Sequence, residues 1–200
     1  MRKYWIIPLA TAILAACTKD NTIPKESEGL TPITFVSSLA TRSTNTALQS
    51  TQIAEGVQVG VFVKTAGGYI SGGDNACLTA DGNGNFTGAN LYFPADGSAV
   101  SVYAYAPYDT DFSGKDAETV AFSVAADQST DAGYLASDLL CGAPAGANSF
   151  TKDNPTVTLG FAHMLSKLNI KFTDTDSKAN LKGATVNILN TLPSTTLKAS

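Results

Sequence analysis

From Thr31 onward, apolar residues recur at every second position, the period of a strand that buries one face. Val57, Val59, Val61 and Val63 alternate with Gln58, Gly60 and Phe62, and Val100, Val102, Ala104 and Ala106 alternate with Ser101, Tyr103 and Tyr105. The same period runs through Val120, Phe122 and Val124, through Val157, Leu159 and Phe161, then Leu168, Ile170 and Phe172, and through Val186 and Ile188. Ile33 to Val36 is the candidate first strand. Gly67-Gly68 and the stretch ADGNGN (Ala80 to Asn85) read as hairpin turns, because glycine and asparagine tolerate positive φ. No segment carries an apolar stripe of helical period with caps at both ends. Short strands divided by turn clusters predict an all-β chain of the β-sandwich kind.

Two irregularities subdivide this pattern. In GFAHMLSKLNIKF (Gly160 to Phe172) the apolar positions are odd-numbered through Phe161 and even-numbered from Leu168. A strand cannot change face without an extra residue, so a bulge or a short helical turn is expected near His163 to Ser166. Pro155 follows the polar stretch AGANSFTKDN (Ala145 to Asn154), and a fresh run of strands begins there. This predicts an N-terminal sandwich domain over 31–154 and, over 155–200, the start of a second sandwich that is apparently incomplete.

The first 30 residues have a different texture. Arg2 and Lys3 precede a run from Tyr4 to Ala16 that is apolar except for Thr11. That run is shorter than the roughly 20 residues a membrane helix needs, and it has the form of a secretory signal peptide over 1–16. Leu14-Ala15-Ala16-Cys17 resembles the lipobox of bacterial lipoproteins, which implies cleavage before Cys17 and lipid attachment to it. Residues 17–30 would then be the lipidated N-terminus and a polar tether. Removing the first 16 of the 200 residues leaves 184, with 11 basic against 17 acidic side chains and a net charge of −6. So acidic a chain lacks the basic patch that nucleic acid demands. With Cys17 set aside, Cys77 and Cys141 remain. They could pair in an exported protein, or stand as two isolated core thiols.

Little in the chain suggests catalysis. His163 is the only histidine, and Phe161, Leu165 and Leu168 around it suggest a partly buried imidazole satisfied by the backbone. There is no Cys-x-x-Cys pair and no Gly-x-Ser-x-Gly elbow. Asp81, Asn83 and Asn85 imitate the start of a calcium loop, but Phe86 and Tyr92 stand where its glycine and bidentate glutamate belong. Asp109/Asp111 and Asp174/Asp176 sit in polar, turn-like segments. The expectation is a non-enzyme with no metal and no cofactor. A rival to a purely structural role is a lipid-anchored glycan-binding module, with Tyr103, Tyr105 and Tyr108 as an aromatic platform.

Three segments carry a family resemblance: VSVYAYAPY (Val100 to Tyr108), SDLLCGAP (Ser137 to Pro144) and VTLGFAHMLSKLNIKF (Val157 to Phe172). In this order, and with the candidate lipobox, they resemble the fimbrillin (Mfa-like) lipoproteins of Bacteroidetes type V pili. The resemblance implies transthyretin-like β-sandwich domains, export as a lipoprotein to the outer membrane, and anchoring there through lipid on Cys17. It also implies proteolytic maturation after an arginine near the first strand, assembly with other fimbrillin subunits by strand addition, and a host or bacterial surface ligand. Arg42, in LATRSTN, is the only arginine beyond the signal peptide and follows the candidate first strand. It is the expected maturation site.

Overall fold

The structure is a computed structural model that describes residues 29–40, 53–144, 146–166, 168, 170–171, 183 and 188–197. Its strands are β1 (Thr34–Ala40), β2 (Gln58–Thr65), β3 (Gly68–Tyr69), β4 (Ala76–Ala80), β5 (Phe86–Gly88), β6 (Ser101–Ala106), β7 (Val120–Ser123), β8 (Leu140–Pro144), β9 (Thr156–His163) and β10 (Ser194–Leu197). The one α-helix among the described residues, α1 (Asp131–Ala136), is capped by the Thr130 hydroxyl and is too short to show a helical period in the sequence. The all-β expectation holds.

Among the described residues, one sheet runs in the order β1-β9-β8-β6-β2-β4-β5, with β3 hairpinned onto β2 and β10 paired separately with β7. Both predicted turns are present. Thr65 pairs with Gly68 across the first, and the 81–85 turn joins β4 to β5. The sheet curls round an inner core of Phe35, Val59, Val61, Val63, Leu78, Leu91, Phe93, Val102, Val157, Leu159 and Phe161. Its two halves meet across that core, with the Phe86 and Phe161 rings 6.2 Å apart.

The central strands β2 and β6 are buried on both faces. Val59, Val61 and Val63 point into the inner core, while Phe62, Tyr103 and Tyr105 on the opposite face join Phe112, Ala117, Val120, Phe122 and Leu139 in an outer core. The excursion from 108 to 139 therefore lids the sheet. Gly60 and Tyr105 face each other in the ladder, and a Cβ at Gly60 would fall inside the Tyr105 ring. Only glycine leaves space for the ring here. The Tyr105 hydroxyl donates to Asn75 Oδ1 (2.7 Å) and accepts from the Asp109 N–H (3.2 Å), and Asn75 Nδ2 donates to the Asp109 carbonyl (2.8 Å). Burial pushes this phenol well above its ordinary pKa, so it remains a neutral donor.

Three expectations change on the C-terminal side. The boundary at 154/155 falls within the sheet. β9 pairs with β8 from Leu140↔His163 to Pro144↔Leu159 and with β1 from Thr34↔Thr156 to Ala40↔Ala162. β10 likewise pairs back onto β7, so 156–163 and 194–197 complete the sheets of the preceding segment. The apolar register change at 163–166 is met by ending β9 at His163, with a backbone bend at Leu165, instead of by a bulge or a short helical turn. Leu168 and Ile170 are then exposed outside any strand, as is Ile188. Phe172 and Val186 lie outside the described residues.

Tyr105→Phe should remove a buried hydrogen-bond donor while keeping the ring. The partner groups on Asn75 and Asp109 are left short of a bond, so a loss of about 1–3 kcal/mol is expected. Urea denaturation measures it, as a lower midpoint with an unchanged slope.

Candidate functional site

The first strand is the element held most unusually. Along one edge β1 forms a parallel ladder with β9. Along the other, the Ile33 N–H donates to the Leu91 carbonyl (2.8 Å), the Phe93 N–H to the Thr31 carbonyl (2.9 Å) and the Ser37 N–H to the Gly84 carbonyl (2.7 Å). Antiparallel bridges join Pro32 to Tyr92 and Val36 to Asn85. β1 thus closes the curled sheet, joining its β9 edge to its β5 edge. Alternation seats it: Ile33 and Phe35 are buried, and Thr34 is exposed. Burying two such side chains contributes roughly 1.5–3 kcal/mol each. Without β1, the outer edge of β9 and the core beneath Ile33 and Phe35 would meet water.

Arg42 lies two residues beyond the end of β1, and both Arg42 and Cys17 are outside the described residues. The residues that hold the second edge of β1 (84–85 and 91–93) are not evident in the sequence. Gly82 and Gly84 signal a turn, but nothing local says what the turn faces.

A second concave region lies where β2 and β8 begin and β6 and β9 end. This cavity of about 440 Å³ is lined mainly by apolar groups, among them Ile53, Val57, Pro107 and Leu140, with Tyr108 and His163 in its wall. His163 Nδ1 lies 2.7 Å from Asp138 Oδ1, and both side chains are largely buried. Its partner is therefore a carboxylate 25 residues away in the chain, not the backbone expected from the sequence. A proton on Nδ1 serves that bond and leaves Nε2 buried without a hydrogen-bond partner. Among the described residues, no serine, threonine, cysteine or lysine lines the cavity, and a His–Asp pair activates a nucleophile only when one lies within hydrogen-bond reach. Among the described residues no group of His, Cys, Asp and Glu side chains is disposed to hold a metal ion.

The tyrosines proposed as a sugar platform are not on the surface. Tyr103 and Tyr105 are 9% and 1% exposed, covered by the outer core, and only Tyr108 reaches solvent in part. Lys64 Nζ sits 4.7 Å from the centre of the Tyr103 ring and 3.3 Å from Glu118 Oε1, which covers the ring further. Asp109 caps the short 3₁₀ turn at 110–112 by accepting from the Asp111 N–H, while Asp174 and Asp176 lie outside the described residues.

Cys77 and Cys141 are free thiols, the second of the two alternatives that the sequence leaves open. The ladder places them in one row across the sheet: Cys141 faces Tyr105, Tyr105 faces Gly60, and Gly60 faces Cys77. Three interstrand steps put their backbones about 14 Å apart, roughly twice the reach of a disulfide. Burial pushes the Cys141 thiol up to about 11 and raises that of Cys77. At pH 8 the folded protein should therefore alkylate at Cys141 about a hundredfold more slowly than the urea-unfolded chain, as read by mass spectrometry of iodoacetamide adducts.

The profile of the fimbrillin-like family matches residues 41–200. No curated protein matches the chain. Among solved structures, the chain is similar to a candidate cell adhesion protein from Bacteroides uniformis, with 23% identity and a TM-score of 0.50, covering 68% of this chain and 48% of that one. It is also similar to a fimbrial protein from Bacteroides ovatus (22% identity, TM-score 0.46, 66% of this chain and 28% of that one). A candidate cell adhesion protein from Bacteroides ovatus also matches (16% identity, TM-score 0.47, 67% and 52%). The chain spans about half the length of the first of these structures.

Proposed function

Because the chain belongs to the fimbrillin-like family, we propose that it is a structural or adhesive subunit of a surface fimbrium, in which β1 is exchanged for a strand of another subunit. The observation that carries this reading is the double-edged seating of β1. It is one short strand, buried through Ile33 and Phe35, whose departure would open an apolar slot with unpaired backbone on both sides. An incoming strand satisfies such a slot by main-chain hydrogen bonds, with alternate side chains filling the core. Arg42 stands two residues beyond Ala40, so a cut there severs β1 from the rest of the chain, and the family match begins at residue 41. The same reading gives the N-terminus its role. Lipid on Cys17 would hold the precursor at the outer membrane surface until the cut frees it, and several acyl chains on one residue make such an anchor stable. The partners are other fimbrillin subunits and a host or bacterial surface ligand. The role is structural, with no reaction assigned.

Arg42→Ala tests it in the native host. The wild-type surface protein should lack residues 17–42 and the lipid, whereas the variant should retain both and stay in the membrane fraction. Equal mature masses in the two strains would overturn the maturation step.

A further inference from the structure

The two sides of the β1 slot are built differently. β9 is a full strand, itself paired with β8. The opposite side at the level of Ser37 is only the turn from Asp81 to Asn85, made rigid by a single carboxylate. Asp81 Oδ1 accepts the N–H groups of Asn83 (2.7 Å) and Asn85 (2.9 Å), and Oδ2 accepts from Asn85 Nδ2 (2.8 Å). The Asp81 N–H closes the turn on the Asn85 carbonyl (3.0 Å). Gly82 and Gly84 take φ of 76° and 94°, a region that L side chains rarely enter. A Cβ on Gly84 would also lie 3.1 Å from the Ser37 carbonyl, so the turn approaches β1 as closely as a bare backbone allows. In this position it delivers the Gly84 carbonyl to the Ser37 N–H and brings Asn85 into its bridge with Val36.

We infer that the Asp81–Asn85 turn is a clasp, locked by the Asp81 carboxylate, that sets how readily β1 leaves the slot. Among the described groups, the clasp bonds main-chain atoms of β1 (the Ser37 N–H and the Val36 bridge), a grip that does not depend on side-chain identity there, and discrimination is left to the pockets under Ile33 and Phe35. Because Asp81 lies outside both cores, loosening the turn frees β1 without dissolving the sheet. The inference rests on the reading of β1 as a replaceable strand. Its measurement, however, needs neither cleavage nor a partner.

Hydrogen exchange on the intact, uncut chain provides the test. Asp81→Ala removes the lock, and the amides of Ser37 and the rest of β1 should exchange roughly three- to tenfold faster than in wild type. Those of Val61 in β2 and Ala104 in β6 should keep their protection. Asp81→Asn retains one acceptor oxygen and should fall between the two. Two results would overturn the clasp: unchanged exchange in β1, or protection lost equally from β1, β2 and β6, which would make the turn a support of the whole fold. Should Arg42 prove never to be cut, the assembly reading falls while these exchange rates stand.

Discussion

The structure depends on β1 being paired along both of its edges. A curled sheet leaves two exposed edges, and each is a row of unpaired donors and acceptors open to water or to a neighbouring chain. Here one strand covers both. It joins β9 by a parallel ladder and the 84–93 segment by bridges, while Ile33 and Phe35 fill the core beneath it. Parallel pairing at this point has a topological meaning. Strands adjacent in sequence can pair antiparallel through short turns, whereas β1 and its partner β9 are separated in sequence by every other strand of the sheet. The strand that closes the sheet is therefore the one least tied to its neighbours in sequence, and severing it there would leave the other strand pairings intact.

The rest of the sheet has a separate source of stability. β2 and β6 are buried on both faces, one against the inner core and one against the lid formed by 108–139. Gly60 opposite Tyr105, and the Tyr105–Asn75–Asp109 hydrogen bonds, tie that lid to the sheet far from the β1 slot. This separation bears on the proposed strand exchange. A subunit that exchanges a strand has to keep its remaining fold while the slot is open, and a second core that does not include β1 meets that requirement.

Much of the fold was legible in alternation. β2, β6, β7 and β9 appear where the period of two places them, because burial of one face imposes that period directly, and β1 (Thr34–Ala40) overlaps the expected first strand at Ile33 to Val36. The tyrosines of β6 misled in one respect only. Aromatic residues at alternate positions define a face, but not whether solvent or another layer covers it, and here the lid does. The boundary at Pro155 failed for a related reason. A polar, proline-containing connection marks a loop, yet the strand after a loop can return to the same sheet, as β9 does between β8 and β1. At the site, the first strand could be found from sequence alone, whereas the 81–85 and 91–93 segments that grip β1 could not. Their partnership is long-range and made by backbone, which leaves no side-chain signature. The same holds for His163, whose carboxylate partner Asp138 is adjacent only in space.

The central claim is that β1 occupies a slot that a separate strand can fill. Cleaving the purified chain at Arg42 with an arginine-specific protease, then adding a fluorescent peptide of residues 29–42, tests it directly. The cut protein should keep its β-sheet signal, give up its own β1 and take up the labelled peptide, while the uncut protein takes up none. A cut protein that loses its sheet when β1 departs, or that stays folded and never exchanges the peptide, would contradict the claim.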